Sequence, residues 1–200
     1  MSKFTYDKNG IMGLTLSQIG LIIASVILLA AIFTIIFQND WQKQAELKNI
    51  ANSISTKIHG MDSMFYENTT NLYLPNKEYN YKTEISTEYI TIKIIDDPKD
   101  PIYYRHNIIL KPFTRKDNSE WESKEELHTY LKNNYGNSGK IDDPIQNIDG
   151  VKNYLSDEYE TNSYELAINP LVFYKEEKIN FDKTFIIYET GEKDELIIIY

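Results

Sequence analysis

The chain contains no cysteine. That absence excludes disulfide staples, thiolate nucleophiles and cysteine-based zinc sites together. Histidine is scarce as well: His59, His106 and His128 stand far apart, and none lies in a metal-ligand spacing such as H-E-x-x-H. Each is expected to be a surface or structural residue. Eight glycines are too few for nucleotide-binding loops, and no Gly-x-Ser-x-Gly or phosphate-cradling glycine run is present. No nucleophile–base set can be named. The chain is therefore not expected to be an enzyme, and no catalytic residue, metal or cofactor is predicted.

Positive charge is also in short supply, and it is unevenly placed. The net charge is −9, yet residues 1–37 carry only Lys3, Lys8 and Asp7, so residues 38–200 hold a net −10. A domain of that sign repels phosphate backbones, and nucleic acid is not an expected partner. The acids themselves do not form a recognisable ion site. Asp142, Asp143, Asn147 and Asp149 make an oxygen-rich stretch, but a calcium loop started at Asp143 fails at Ile145 and Ile148. A solvated turn leading into a helix is the better reading. Asp96-Asp97-Pro98 likewise reads as a turn.

Against these absences stands one long apolar run. Residues 19–37 read IGLIIASVILLAAIFTIIF, nineteen residues without charge, proline or amide. At the helical rise this spans about 28 Å, close to the hydrocarbon thickness of a bilayer. A cleaved secretory signal has a shorter apolar core and a small-x-small cleavage site. Here the run ends in Phe37-Gln38-Asn39-Asp40-Trp41, which offers no such site. The segment is expected to remain in the protein as a single membrane span. Lys3 and Lys8 precede it and Asp40 follows, which places the N-terminus in the cytoplasm and the acidic domain outside. Phe4, Tyr6 and Trp41 are candidate interfacial anchors. Asn68-Thr69-Thr70, the one glycosylation sequon, falls on the outer side, so Asn68 is a candidate glycan acceptor.

The residues leading into the run, Gly13-Leu14-Thr15-Leu16-Ser17-Gln18, are informative in their own right. This string resembles the class III signal peptide of type IV pilins and related archaeal pilin-like proteins. The resemblance implies a cytoplasmic leader, residues 1–13, cut by a prepilin peptidase between Gly13 and Leu14. It also implies self-assembly, or assembly with other pilin-like subunits, through residues 14–60. Gln18 stands where many members of the family have a glutamate that pairs with a neighbour's terminal amine. A neutral amide in that place makes a hydrogen bond of about half the strength. No Lys or Arg immediately precedes Gly13, and no proline interrupts residues 14–74.

The helical pattern continues past the membrane. Leu47, Ile50, Ala51, Ile54, Ile58 and Met61 form one apolar stripe, with Gln42, Lys43, Glu46, Asn49, Asn52 and Lys57 on the other faces. The spacing predicts one helix of about 45 residues from near Leu14 to His59, with Gly60 as its C-cap. Gly20, Ala24 and Ala31 offer small surfaces for close helix packing.

Beyond residue 60 the chain reads mostly as strands: residues 79–85, 88–95, 102–113, 163–174, 184–188 and 195–200, with Pro170 marking an edge or a break. The last two flank a hairpin signal at Thr190-Gly191-Glu192-Lys193. Ser123-Lys124-Glu125-Glu126 is a capping-box pattern opening a helix towards Asn134, stopped before Gly136. A second helical stretch spans residues 151–159. The expected fold is α+β: a long transmembrane helix continuing into a stalk, then a mostly antiparallel β domain with a helical insertion. The expected organisation is a leader (1–13), a transmembrane and stalk helix (14–60) and an extracytoplasmic domain (61–200). The function these features point to is a structural subunit of a surface filament or secretion assembly. The alternative is a single-pass anchored envelope protein whose outer domain binds a ligand or partner.

Overall fold

The computed structural model describes residues 8–96, 101–115 and 119–200, apart from the side chains of residues 8–16 and 35–39. The chain divides into two compact units, Met1–Lys43 and Gln44–Tyr200. The fold is α+β, with two mostly antiparallel sheets and an apolar N-terminal helix.

Helix α1 runs from Lys8 to Asp62, longer at both ends than the stripe predicts. Gly60 is not its cap. Met61, the last residue of the stripe, is buried, so packing holds the last turn beyond the glycine. Ser63 N then donates to the His59 carbonyl at 3.1 Å, and the helix ends there.

In the second unit the strands form two four-stranded sheets. Sheet A has the order β1 (Asn68–Tyr73), β7 (Lys178–Ile187), β8 (Lys193–Ile199), β5 (Phe113–Thr114); sheet B has β4 (Tyr103–Asn107), β3 (Tyr89–Ile94), β2 (Tyr81–Ile85), β6 (Leu171–Tyr174). The named strands pair antiparallel except β5 with β8. Helices α2 (Lys124–Tyr135) and α3 (Ile148–Ile168) lie between β5 and β6 in the chain.

Two hydrophobic clusters share sheet A. Leu47, Ile50, Ala51, Ile54, Ile58 and Met61 of α1 pack on the inner face of sheet B and on one face of sheet A. The opposite face of sheet A is covered by α2 and α3, through Leu127, Leu131, Val151 and Leu155 around the buried Trp121. Strand β8 shows the consequence residue by residue: Ile197 and Ile199 enter the first cluster, Leu196 and Ile198 the second. Burial on both faces is why this strand reads as a continuous apolar run rather than an alternating one.

Several elements differ from the sequence expectation. Residues 102–113 are not one strand: β4 joins sheet B, and β5 joins sheet A beyond Pro112, whose missing N–H cannot continue a ladder. Residues 163–168 are the end of α3, because the fully buried Leu166 keeps the helical register of Val151 and Leu155 until Pro170 stops it. Strand β1 is polar (NTTNLY) and gave no apolar signal; its pairing with β7 supplies the order. Helix α2 starts and stops where the capping residues indicate. Ser123 accepts from Glu126 N at 3.4 Å, while the Glu126 carboxylate accepts from Glu122 N rather than from the cap residue itself. Gly136, at φ 85°, closes the helix in the left-handed conformation that a side chain disfavours.

Candidate functional site

The surface of α1 carries most of the features the sequence singles out. Within it, Ser17–Thr34 is long and apolar enough to cross a membrane, and no residue of that stretch is buried. Ile22, Val26, Leu29 and Phe33 are all exposed. Two of its hydroxyls are turned back on the helix: Ser25 donates to the Leu21 carbonyl at 2.8 Å and Thr34 to the Ala30 carbonyl at 2.7 Å. A hydroxyl satisfied by its own helix places no unpaired donor in an apolar medium.

Gly13 and Leu14 lie within α1, but their side chains, like all of residues 1–7, fall outside the described residues. The same holds for the anchors Phe4 and Tyr6. Gln18 is exposed on the helix surface, and Trp41 is exposed as well. Gly20 faces open space.

In the second unit the polar side of α1 and the edge strand β1 enclose a groove of about 700 Å³, lined by Asn49, Asn52, Thr56, Lys57, Met64 and Asn68 among others. Asn68 is only half-exposed. Its amide nitrogen points at the Met64 sulfur, 3.3 Å away, with the Met61 sulfur at 3.9 Å. An N-linked glycan would attach at that same nitrogen, which in this conformation faces the two sulfurs.

The three histidines do not converge. His59 is exposed on α1, His106 of β4 meets Ser55 of α1 at 3.1 Å, and His128 is buried in α2. His128 does sit in a hydrogen-bonded set that the sequence did not reveal. Its Nδ1 donates to the Ser138 carbonyl at 2.7 Å, its Nε2 lies 2.9 Å from Thr184 Oγ1, and Thr184 donates to Glu67 at 2.8 Å. An acid, an imidazole and a hydroxyl in contact suggest a nucleophile, but Thr184 is fully buried and its hydroxyl proton is directed to Glu67. Such a hydroxyl cannot reach a substrate carbonyl. The set ties the α1–β1 loop, α2 and β7 together.

The acidic stretch is also engaged structurally. Asp143 accepts from Lys132 at 2.7 Å, from Asn137 at 2.9 Å and from Ser138 N at 2.9 Å. Those three donors hold its carboxyl well below the usual carboxylate range. Among the described residues no group of three or more His, Asp or Glu is arranged to hold a metal ion.

A second groove, of about 680 Å³, lies between β6 and the C-terminal Tyr200, with Arg115 in its wall. Arg115 is buried, pairs with Glu158, donates to the Trp121 carbonyl at 2.8 Å and stacks over the Trp121 ring at 3.9 Å. Its charge is thereby compensated within the domain. No family model, no curated protein and no solved structure matches the chain.

Proposed function

We propose that the chain is a pilin-like or pseudopilin-like structural subunit of a cell-surface filament or secretion assembly. In this reading residues 1–13 are a cytoplasmic leader, a prepilin peptidase cuts between Gly13 and Leu14, and the long helix is at once membrane anchor and assembly element. The observation that carries the reading is the division of labour along α1. The stretch Ser17–Thr34 is apolar and wholly uncovered, whereas Leu47, Ile54, Ile58 and Met61 of the same helix are fully buried in the core of the acidic domain. An apolar surface of that extent requires either lipid or the helices of other subunits.

The self-satisfied hydroxyls of Ser25 and Thr34 support the same surface being at home in both surroundings. Gln18 fits a helix-packed core as a neutral amide. It costs less to desolvate than a carboxylate and contributes a weaker link to a neighbour's amine. The continuation of α1 into a stalk, the helical insertion between the sheets and the extracytoplasmic placement of residues 61–200 belong to this proposal.

The test is to shear cells gently, collect the released material and probe it with antibody against the second unit. The proposal expects high-mass assemblies containing the chain in the sheared fraction. Recovery of the chain solely as a single species in the membrane overturns it and leaves an anchored envelope protein.

A further inference from the structure

The solvent-facing side of sheet B differs in character from the rest of the domain. The second unit carries 18 Lys and Arg against 28 Asp and Glu. On the outer face of sheet B the balance reverses. Register and alternation place Lys82 and Glu84 of β2, Tyr89 and Lys93 of β3, Tyr103 and Arg105 of β4, and Tyr174 of β6 on that one side. Three cations therefore face one acid.

That acid is the most recessed of the charged groups. Glu84 is 15% exposed, and it lies 2.7 Å from Lys82 and 3.9 Å from Lys93, which are 27% and 36% exposed. The face presents its positive groups outward, and their excess is not cancelled on the strands.

The rings are set out with the cations. Lys82 is in register with Tyr174 on one side and Lys93 on the other, and Lys93 is in register with Tyr103. One row across all four strands thus reads Tyr174, Lys82, Lys93, Tyr103, with the two outer rings 49% and 57% exposed. At ordinary strand spacing those rings stand about 14 Å apart. Beside the row, the exposed Arg105 places its guanidinium over the Tyr89 ring, 3.8 Å from the ring centre. A flat row of ring, cation, cation, ring is suited to a linear, stiff, negatively charged chain with apolar flat faces of its own.

From this face we infer a binding platform for an acidic polysaccharide, a linear polymer of sugar carboxylates. The lysines and Arg105 pair with successive carboxylates, and Tyr103 and Tyr174 stack on the C–H faces of the sugar rings. Charge complementarity selects an anion against the repulsion of the surrounding domain. The exposed rings favour a sugar polymer over the acidic surface of another protein, which would answer the cations and leave both outer tyrosines without a flat partner. Nothing in the platform depends on filament assembly.

The test uses the full chain in neutral detergent micelles, titrated with polygalacturonate, with dextran as uncharged polymer and with oligothymidylate as an anionic polymer of another kind. The inference expects polygalacturonate binding that weakens as salt is raised, and no binding of dextran. Tyr103→Ala and Arg105→Ala each weaken binding about tenfold. Thr56→Ala, on α1 and away from sheet B, leaves it unchanged. Fluorescence in a Trp41→Phe background, where the buried Trp121 is the sole tryptophan, verifies that each variant is folded. Absence of polygalacturonate binding, or equal binding by wild type and both sheet variants, overturns the inference. Tighter binding of oligothymidylate overturns the ligand class. Self-association that Arg105→Ala abolishes in the absence of any polymer assigns the face to a second copy of the chain, and overturns it too.

Discussion

Replacing Ile54 by alanine tests whether α1 is part of the domain's core or merely an attachment to it. Ile54 is fully buried among the side chains of both sheets. The substitution removes three carbons, about 2.4 kcal/mol at roughly 0.8 kcal/mol per buried CH₂. The cavity left behind adds to that, for a total of about 3–4 kcal/mol, inside the usual 2–5 range for such truncations. Thr56, two residues along and exposed, provides the control: Thr56→Ala should shift stability by less than about 0.5 kcal/mol. The assay is urea unfolding of the detergent-solubilised full chain in a Trp41→Phe background, which leaves the buried Trp121 as sole tryptophan. Trp121 sits in the second cluster, across sheet A from Ile54. Strand β8 contributes to both clusters, so loss of one should be felt in the other. With an m-value of about 1–3 kcal/mol per molar urea, the midpoint should fall by about 1–4 M. If Ile54→Ala unfolds at the same urea concentration as Thr56→Ala, the helix is not integral to the domain and the reasoning fails.

Other substitutions probe the remaining joints. Asp182 is fully buried and accepts from Thr69 at 2.7 Å and from the first backbone N–H of α2, Lys124 N, at 3.0 Å; Asp182→Ala should cost about 3–5 kcal/mol in the same unfolding assay by removing two hydrogen bonds to a charged group. Gly136→Ala should cost about 1 kcal/mol, visible as a lowered Tm, because the α2 C-cap requires positive φ. Glu46 is held below the ordinary carboxylate value of 4.5 by the Tyr79 hydroxyl and the Lys77 ammonium, and Glu195 by Lys183 and Lys193. Both depressed groups contribute stability that is present above pH 4.5 and lost as pH falls below it, so Glu46→Gln should flatten the acid side of a stability–pH curve. At the alkaline end, burial and the neighbouring Asp182 carboxylate push the Tyr200 phenol up from 10 to about 12. The unfolded chain ionises there first, so stability is intact below pH 10 and declines as pH rises towards 12, which absorbance-monitored base titration will detect as delayed phenolate formation.

The parts of the fold that were legible in the sequence are those where one physical signal acted alone. The stripe on α1 and the cap residues of α2 are local, and the structure places both where the residues direct. Misreadings came where two demands overlapped. Gly60 looks like a stop, yet Met61 gains more from burial than the helix loses by carrying a glycine through its last turn. Residues 163–168 have strand-like composition, but Leu166 belongs to a helical face set by Val151 and Leu155. Strand β1 was invisible because its order comes from β7, a partner more than a hundred residues away. The Glu67–His128–Thr184 set was unreadable for the same reason, since three separate elements bring it together. The sheet B platform needed register as well as composition. Only pairing reveals that Tyr174, Lys82, Lys93 and Tyr103 form one row.

The most direct test of the central proposal is the intact mass of the protein purified from its native membranes. The account predicts a chain shortened by Met1 to Gly13, with Leu14 as its new N-terminus. A mass that retains those thirteen residues contradicts processing by a prepilin peptidase, and with it the assignment of α1 as an assembly helix.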